Sequence, residues 1–230
     1  MPEPYLQAAV NEARARHPTP NPLLTFTEAQ RLLLEAGTYV SLRPLLGRLP
    51  RGDGHPVWVL PGFTASDVST VPLRRFLTRQ GYRPLPWDFG RNMGPRGDLE
   101  ARMRAKLHDI ADHHGEPVTL IGQSLGGVYA RELARETPQA VRQVITLGSP
   151  FGSVAAAGAL PAVTRLFELA VGRRARRLQR EAFFRRMGEP TGVPTTAIYS
   201  RLDGVAHWRV CMEKDHATTD NVEVHGSHCG

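Results

Sequence analysis

Residues 118–127 read VTLIGQSLGG, an apolar run with β-branched residues that stops at the motif Gly-x-Ser-x-Gly. A helical pattern follows at once over residues 128–135, so the predicted order is strand, sharp turn and helix. Gly122 and Gly126 carry no Cβ, which lets the strand and the helix approach closely around the serine. The pattern predicts a strained turn that holds the Ser124 hydroxyl clear of the sheet as a nucleophile. The plain alternative is a serine in an ordinary strand–helix loop.

Strand and helix patterns alternate along the chain from residue 56 onward. Strands are predicted near residues 57–60, 82–86, 117–121, 143–147, 195–199 and 221–225. Helices are predicted near residues 68–80, 98–114 and 125–136. This alternation of helices with continuously apolar strands predicts a mostly parallel sheet of about six strands with helices on both faces. The carboxyl ends of such strands share one edge, where open α/β sheets bind ligands.

Three further features carry a resemblance to a known family. The segment PVWVLPGFT at residues 56–64 is a buried strand that ends in a glycine turn, and VITLGSPF at residues 144–151 follows the helix after Ser124. Asp203 and His228 come later in that order, each just past a predicted strand. Together these features resemble the α/β-hydrolase superfamily, and within it the bacterial lipase and esterase-like branch. The resemblance covers nearly the whole chain. It implies an α/β-hydrolase fold and an enzyme that needs no cofactor.

The resemblance assigns three catalytic side chains. Ser124 would be the nucleophile, His228 the base that accepts its proton, and Asp203 the acid that orients the histidine. Each of them follows a predicted strand, so all three are expected at the same edge of the sheet. His207 is the second candidate for the base, upstream of the last strand. For the acid, Asp215 and Asp220 stay open as alternatives, farther from a strand end.

An oxyanion hole needs two backbone N–H donors that point at the developing negative charge. One is expected from Leu125, at the start of the helix that follows Ser124, which we call the elbow helix. Amides are unpaired there and the helix dipole favours an anion. The second is expected from Phe63, directly after Gly62.

Two positions depart from the pattern common in the family. Many members carry histidine before the glycine of the oxyanion turn and before the nucleophile, whereas this chain has Pro61 and Gln123. Neither change removes a catalytic side chain or a donor of the oxyanion hole, so both bear on the substrate pocket. Gln123, Asn92 and Phe151 are the candidates for lining that pocket.

The chain divides into two parts in this interpretation. Residues 1–55 form an N-terminal arm and a helix that opens with a capping box at Thr25 and Glu28 and runs to about residue 40. Its apolar side chains are expected to dock on the domain, and these are Leu32, Leu33, Tyr39 and Val40. Residues 56–230 form the hydrolase domain, with a helical cap inserted at about residues 151–190 after the fourth strand. Members of the family usually continue with a helix that packs on the sheet, and the resemblance predicts that this C-terminal helix is missing after His228.

Composition limits the function classes. The 230 residues are 41% hydrophobic and carry a net charge of +7, which fits one soluble globular domain. The sequence holds no recognisable nucleic-acid-binding motif and no apolar run of about 18 residues, so neither nucleic-acid binding nor stable membrane insertion is expected. The N-terminus lacks a signal-peptide pattern, which predicts a cytoplasmic protein. Secretion after removal of a signal stays open, and the sequence leaves the oligomeric state undetermined.

The two cysteines, Cys211 and Cys229, allow two interpretations. Some bacterial lipases join the corresponding loops by a disulfide, so the resemblance makes these residues a candidate pair. The lack of a signal peptide favours free thiols instead. A zinc site that adds His216 and His225 to the cysteines has no recognised ligand spacing, and no metal is expected.

The combined prediction is a serine hydrolase that cleaves carboxylic esters through an acyl-enzyme on Ser124. The expected partner is a small-molecule or lipid ester. Thioesterase and acyltransferase activities use the same machinery and remain alternatives. A catalytically silent binding protein with the hydrolase fold is the alternative from another class.

Overall fold

A computed structural model describes residues 19–151 and 187–229, and its centre is a six-stranded sheet. The strands are β1 Pro56–Leu60, β2 Arg83–Leu85, β3 Val118–Gln123, β4 Val141–Leu147, β5 Thr195–Ser200 and β6 Thr219–Val224. All neighbouring strands pair in parallel, in the order β2-β1-β3-β4-β5-β6. The prediction of a parallel sheet of about six strands is therefore confirmed.

Five α-helices accompany the sheet in the described part of the chain. They are α1 Pro22–Phe26, α2 Glu28–Leu46, α3 Asp67–Arg79, α4 Leu99–His114 and α5 Leu125–Glu136. Short 3₁₀ helices follow α5 at Pro138–Ala140 and follow β5 at Trp208–Cys211. The three helices predicted within the hydrolase domain lie where their apolar periodicity placed them, to within two residues at each end.

The central strands are buried on both faces because helices cover both faces of the sheet. All five residues of β1 are buried. Val57 and Val59 point toward α3 and pack near Leu77. Trp58 and Leu60 point the other way, into a larger cluster with α4 and α5. Since side chains alternate along a strand, one apolar run supplies two cores, which is why β1 shows no polar alternation.

The N-terminal helices differ from the prediction in where the first helix begins and in how the helical segment contacts the domain. The predicted capping box is wrong, because Thr25 lies inside α1, whose N-cap is Asn21. The predicted apolar docking is also wrong for Leu32, Leu33 and Val40, which are 37%, 74% and 61% exposed. Two glutamates of α2 make hydrogen bonds with the domain, and they are described with the candidate active site.

A buried ion pair joins the middle of α5 to the loop after the second 3₁₀ helix. The Arg131 guanidinium pairs with the Glu213 carboxylate, and the two side chains are 1% and 0% exposed. Arg131 also donates to the carbonyls of Met187 and Glu189, at 3.1 and 2.8 Å, and its guanidinium lies 3.8 Å from the Phe151 ring centre. Together with Arg135, which donates to the same two carbonyls, Arg131 therefore holds the segment that leads into β5 against α5.

We predict that Glu213→Gln destabilises the protein by about 3–5 kcal/mol, because it leaves the Arg131 charge buried without a counter-charge. Denaturant unfolding measures the change. Glu189→Gln is the matched control, since the Glu189–Lys214 pair is more than half exposed and solvent screens it. Equal unfolding free energies for Glu213→Gln and the wild type would contradict this role of the buried pair.

Two predicted regions lie outside the described residues. They are most of the N-terminal arm, residues 1–18, and most of the cap insertion, residues 152–186. None of the helices in the described part has both the length and the apolar character needed to cross a membrane.

Candidate active site

Ser124 lies at the turn between β3 and α5, in a backbone conformation that L-residues rarely adopt. Its φ is +50° and its ψ is −119°. The turn is fixed on both sides, because the Ser124 N–H donates to the Leu147 carbonyl at 2.9 Å and the Gly127 N–H donates to the Ser124 carbonyl at 3.0 Å. A strained conformation persists only where its surroundings impose it, and such sites cluster at functional positions.

The glycines around Ser124 are required by close backbone contacts. A Cβ on Gly122 would overlap the backbone of Gly126 and Gly127, and a Cβ on Gly126 would overlap the Leu60 carbonyl. The elbow helix therefore packs directly against the ends of β1 and β3, as the Gly-x-Ser-x-Gly spacing predicted.

Asp203 and His228 form a buried hydrogen-bonded pair. His228 Nδ1 lies 2.7 Å from Asp203 Oδ2, and the two side chains are 7% and 3% exposed. The other carboxylate oxygen of Asp203 accepts from the backbone N–H groups of Val205 and Ala206, at 2.7 and 2.8 Å. The carboxylate is thus fixed by three hydrogen bonds, two at Oδ1 and one with the imidazole at Oδ2.

The Asp203–His228 pair lies beside the end of β4, next to the serine turn. A Cβ built on Gly148 would lie 3.2 Å from both Asp203 Oδ2 and His228 Nδ1, and Gly148 directly follows the strand whose Leu147 binds the Ser124 N–H. Gln123, the residue before the serine, donates from Nε2 to the His228 carbonyl at 3.5 Å. No hydrogen bond joins the Ser124 hydroxyl to another residue in the described part. Catalytic hydrogen bonds often tighten only once substrate is bound.

The alternative acids and base take other positions. Asp215 and Asp220 are exposed. His207 precedes the second 3₁₀ helix as its N-cap, and its Nδ1 accepts from the Arg209 N–H at 3.4 Å. None of these three side chains has a hydrogen bond to Ser124, Asp203 or His228 in the described part of the chain.

Ser200, which the sequence analysis did not single out, joins the loop of Asp203 to the loop of His228. Its hydroxyl donates to the Gly226 carbonyl at 2.7 Å, and the same oxygen accepts from the N–H groups of Leu202 and Gly226. The loop that carries Asp203 and the loop that carries His228 are therefore joined at the point where β5 and β6 end.

The turn after β1 lies against the serine. A Cβ on Gly62 would lie 3.3 Å from Ser124 Cβ, so the backbone that continues into Phe63 lies beside Ser124. Asn92 supports this turn with two hydrogen bonds. Its side-chain Nδ2 donates to the Pro61 carbonyl at 2.8 Å, and its main-chain carbonyl accepts from the Thr64 N–H at 2.7 Å. Leu125 is the first residue of α5. Its backbone N–H is therefore at the helix end, where the dipole favours negative charge.

Two of the pocket candidates take structural positions. Asn92 is 1% exposed and its amide is used in holding the turn at Pro61. Phe151 is 1% exposed and packs among Val128, Met187 and Ala197, so it belongs to the core and does not line an open pocket.

The two cysteines are free, and the disulfide allowed by the family resemblance is not formed. Cys211 is buried with Tyr199, Ala206 and Val210, and its Sγ faces the His207 carbonyl at 3.8 Å. Cys229 is exposed and directly follows His228. Burial and the nearby Asp203 carboxylate raise the pKa of the Cys211 thiol well above its usual value. No group of three or more metal-ligating side chains occurs within residues 19–151 and 187–229.

Glu28 and Glu35 on α2 reach the loops that carry Asp203 and His228, and these contacts were not expected from the sequence. Glu28 accepts from the His228 N–H and from the Gly204 N–H, the latter at 3.1 Å. Glu35 accepts from the Ser227 N–H at 2.7 Å and from the Ser227 hydroxyl. The partners lie 176 to 200 residues apart in the sequence, so no local pattern signals these contacts.

We compared the sequence of this chain with known protein families and with characterised proteins. No family model matches the sequence. A segment of 78 residues is 30% identical to the human lysosomal phospholipase A and acyltransferase, and it covers 32% of this chain but only 19% of that protein.

Several solved structures are similar over most of this chain. The monoacylglycerol lipase of Paleococcus ferrophilus has a TM-score of 0.56 at 15% identity, covering 75% of this chain and 85% of its own. The metagenome-derived lipolytic enzymes LipS and LipT are represented by a match at TM-score 0.56 and 15% identity, with coverage of 78% and 87%. The α/β hydrolase MGS-MChE2, from lagoon sediments of Mar Chica, has a TM-score of 0.52 at 19% identity, with coverage of 79% and 85%. The protein therefore has the α/β-hydrolase fold.

Proposed function

We propose that the protein is a serine hydrolase that cleaves carboxylic esters through an acyl-enzyme on Ser124. The observation that carries the proposal is the buried His228–Asp203 pair beside a serine held at φ +50°. An activated serine needs a base, and the base needs an orienting carboxylate. The pair formed by His228 and Asp203, on loops that follow β6 and β5, supports the assignment of these two roles.

In the proposed first step, His228 Nε2 takes the hydroxyl proton while Ser124 Oγ attacks the acyl carbonyl carbon. The carbonyl π electrons move onto its oxygen, and the backbone N–H groups of Leu125 and Phe63 would bind that oxyanion. Collapse of the tetrahedral intermediate expels the alcohol, which receives the proton from His228. Water then repeats the sequence on the acyl-enzyme and releases the carboxylic acid. Asp203 stabilises the imidazolium without becoming protonated.

Acyl transfer to an alcohol is the second candidate. The segment that is 30% identical to a lysosomal phospholipase A and acyltransferase favours it. Both reactions form the same acyl-enzyme, and they differ only in whether water or an alcohol attacks it.

A panel of p-nitrophenyl esters of increasing acyl length tests the proposal. We expect release of p-nitrophenolate with a preferred chain length, because a fixed pocket discriminates between acyl groups. Added glycerol or another alcohol would raise the release rate and yield a new ester if transfer competes with hydrolysis. A matched p-nitrophenyl thioester series separates a thioesterase. No turnover of any of these substrates would favour the silent binding protein.

A further inference from the structure

A single carboxylate of the N-terminal helix α2 contacts two loops. They are the loop of Asp203, here called the acid loop, and the loop of His228, here called the base loop. One oxygen of Glu28, Oε1, accepts from the backbone N–H of His228. The other, Oε2, accepts from the backbone N–H of Gly204 at 3.1 Å. Gly204 directly follows Asp203. Glu28 therefore binds next to the base and next to the acid at the same time.

The Glu28 carboxylate is held in place by its neighbours. Arg31 Nη2 lies 2.6 Å from Glu28 Oε2 and also donates to the Leu24 carbonyl at 3.0 Å. The Arg31 and Glu28 side chains are only 19% and 18% exposed. Thr25 Oγ1 donates to the Gly204 carbonyl at 2.6 Å, so both backbone groups of Gly204 are bound by the N-terminal helices.

Gly204 is fitted closely to this contact. A Cβ at residue 204 would overlap the Leu24 carbonyl group and would crowd Glu28 Oε2. The absence of a side chain is what allows the loop of Asp203 to approach α2 closely enough for the hydrogen bond.

Glu35 makes the second contact, two helical turns farther along α2. Its two oxygens accept from the backbone N–H and the hydroxyl of Ser227, the residue before His228. Residues seven apart lie on nearly the same face of a helix, so Glu28 and Glu35 both face the catalytic loops. Two consecutive residues of the base loop are thus bound to one rigid element.

These contacts matter because the acid and the base are on separate loops after separate strands. A hydrogen bond to a charged carboxylate is shorter and stronger than one between neutral groups. A displacement of about 1 Å in a catalytic group can lower the rate about 100-fold. The carboxylate of Glu28 is placed to prevent such a displacement between the Asp203 loop and the His228 loop.

We propose that Glu28 is a positioning residue, which fixes the backbone of the catalytic base relative to that of the catalytic acid, with Glu35 as its support. This inference rests on the proposed function for its effect on rate. The hydrogen-bonded geometry that it concerns can be measured without any substrate.

Glu28→Gln is the principal test variant, and Glu28→Ala the second. A glutamine has nearly the same size, but its amide nitrogen would face one of the two backbone N–H groups, so one of the two bonds is lost. With the ester that the wild type turns over best, we expect kcat to fall about tenfold for Gln and about 100-fold for Ala, with KM unchanged. The matched control is Glu100→Gln, since Glu100 is likewise the acidic residue in the first turn of its helix but is exposed.

The second readout is the low-field proton resonance of the His228 Nδ1–Asp203 hydrogen bond in ¹H NMR, at a temperature well below Tm. We expect this resonance in the wild type and in Glu100→Gln, and its broadening or loss in Glu28→Gln. Unchanged kcat in Glu28→Gln, or a lowered kcat that merely follows a lowered Tm while the resonance persists, would overturn the positioning role. If the wild type hydrolyses no ester, the resonance alone decides the role of Glu28, and only the proposed substrate class fails.

Discussion

Replacement of Ser124 by alanine is expected to lower kcat for ester hydrolysis by roughly 10⁶-fold, the loss seen when a catalytic serine that acts with its base is removed. The variant loses only the nucleophilic oxygen, because the turn is shaped by Gly122 and Gly126 and by the bond from the Ser124 N–H to Leu147. Steady-state turnover of the preferred p-nitrophenyl ester measures the loss, and circular dichroism checks that the fold is kept.

Ser124→Gly is the informative companion to the alanine variant. It should be equally inactive and yet more stable than Ser124→Ala, because glycine adopts φ +50° without the strain that a Cβ imposes. The exposed Ser69→Ala on α3 serves as the neutral control. Activity of Ser124→Ala comparable to the wild type would rule out the proposed mechanism.

Asp203→Asn is expected to lower kcat by about 10⁴-fold while leaving the loop intact. Oδ1 of Asp203 accepts from two backbone N–H groups, those of Val205 and Ala206, so the amide oxygen of asparagine must take that place. The amide NH₂ then faces His228 Nδ1. That nitrogen has to become the acceptor, which moves the ring proton to Nε2, the nitrogen that must be free to accept the proton of Ser124.

The controls for this variant are Asp215→Asn and Asp220→Asn. Both aspartates are exposed, and from the sequence alone each remained an alternative candidate for the catalytic acid. Both should retain near wild-type turnover and unfolding free energy. A larger loss of kcat in either of them than in Asp203→Asn would show that the acid has been assigned wrongly.

The sheet could be predicted from the sequence because each strand and helix carries its own local signal. The apolar run before Gly122, the helical pattern after Ser124 and the turn residues that separate the other elements gave all six strands to within two residues. The convergence of the proposed triad followed from topology, since parallel strands end at one edge.

What the sequence could not show is how the site is supported. Asn92 and Ser200 act through backbone groups of distant loops, and Glu28 reaches a loop 200 residues away. The apolar residues of α2 led to the expectation that Leu32, Leu33, Tyr39 and Val40 dock this helix, but Leu33 and Val40 are exposed. Glu28 and Glu35 make the hydrogen bonds instead, because the loops of Asp203 and His228 present backbone N–H donors to α2.

Labelling with a fluorophosphonate, followed by peptide mapping in a mass spectrometer, tests the activated serine most directly. The reagent's phosphorus is attacked only by a serine whose hydroxyl proton can be accepted by a base, and fluoride leaves. The account predicts one adduct per chain, located on Ser124, and its absence after prior unfolding of the protein. A native protein that stays unlabelled, or that carries the adduct on another residue, would contradict it.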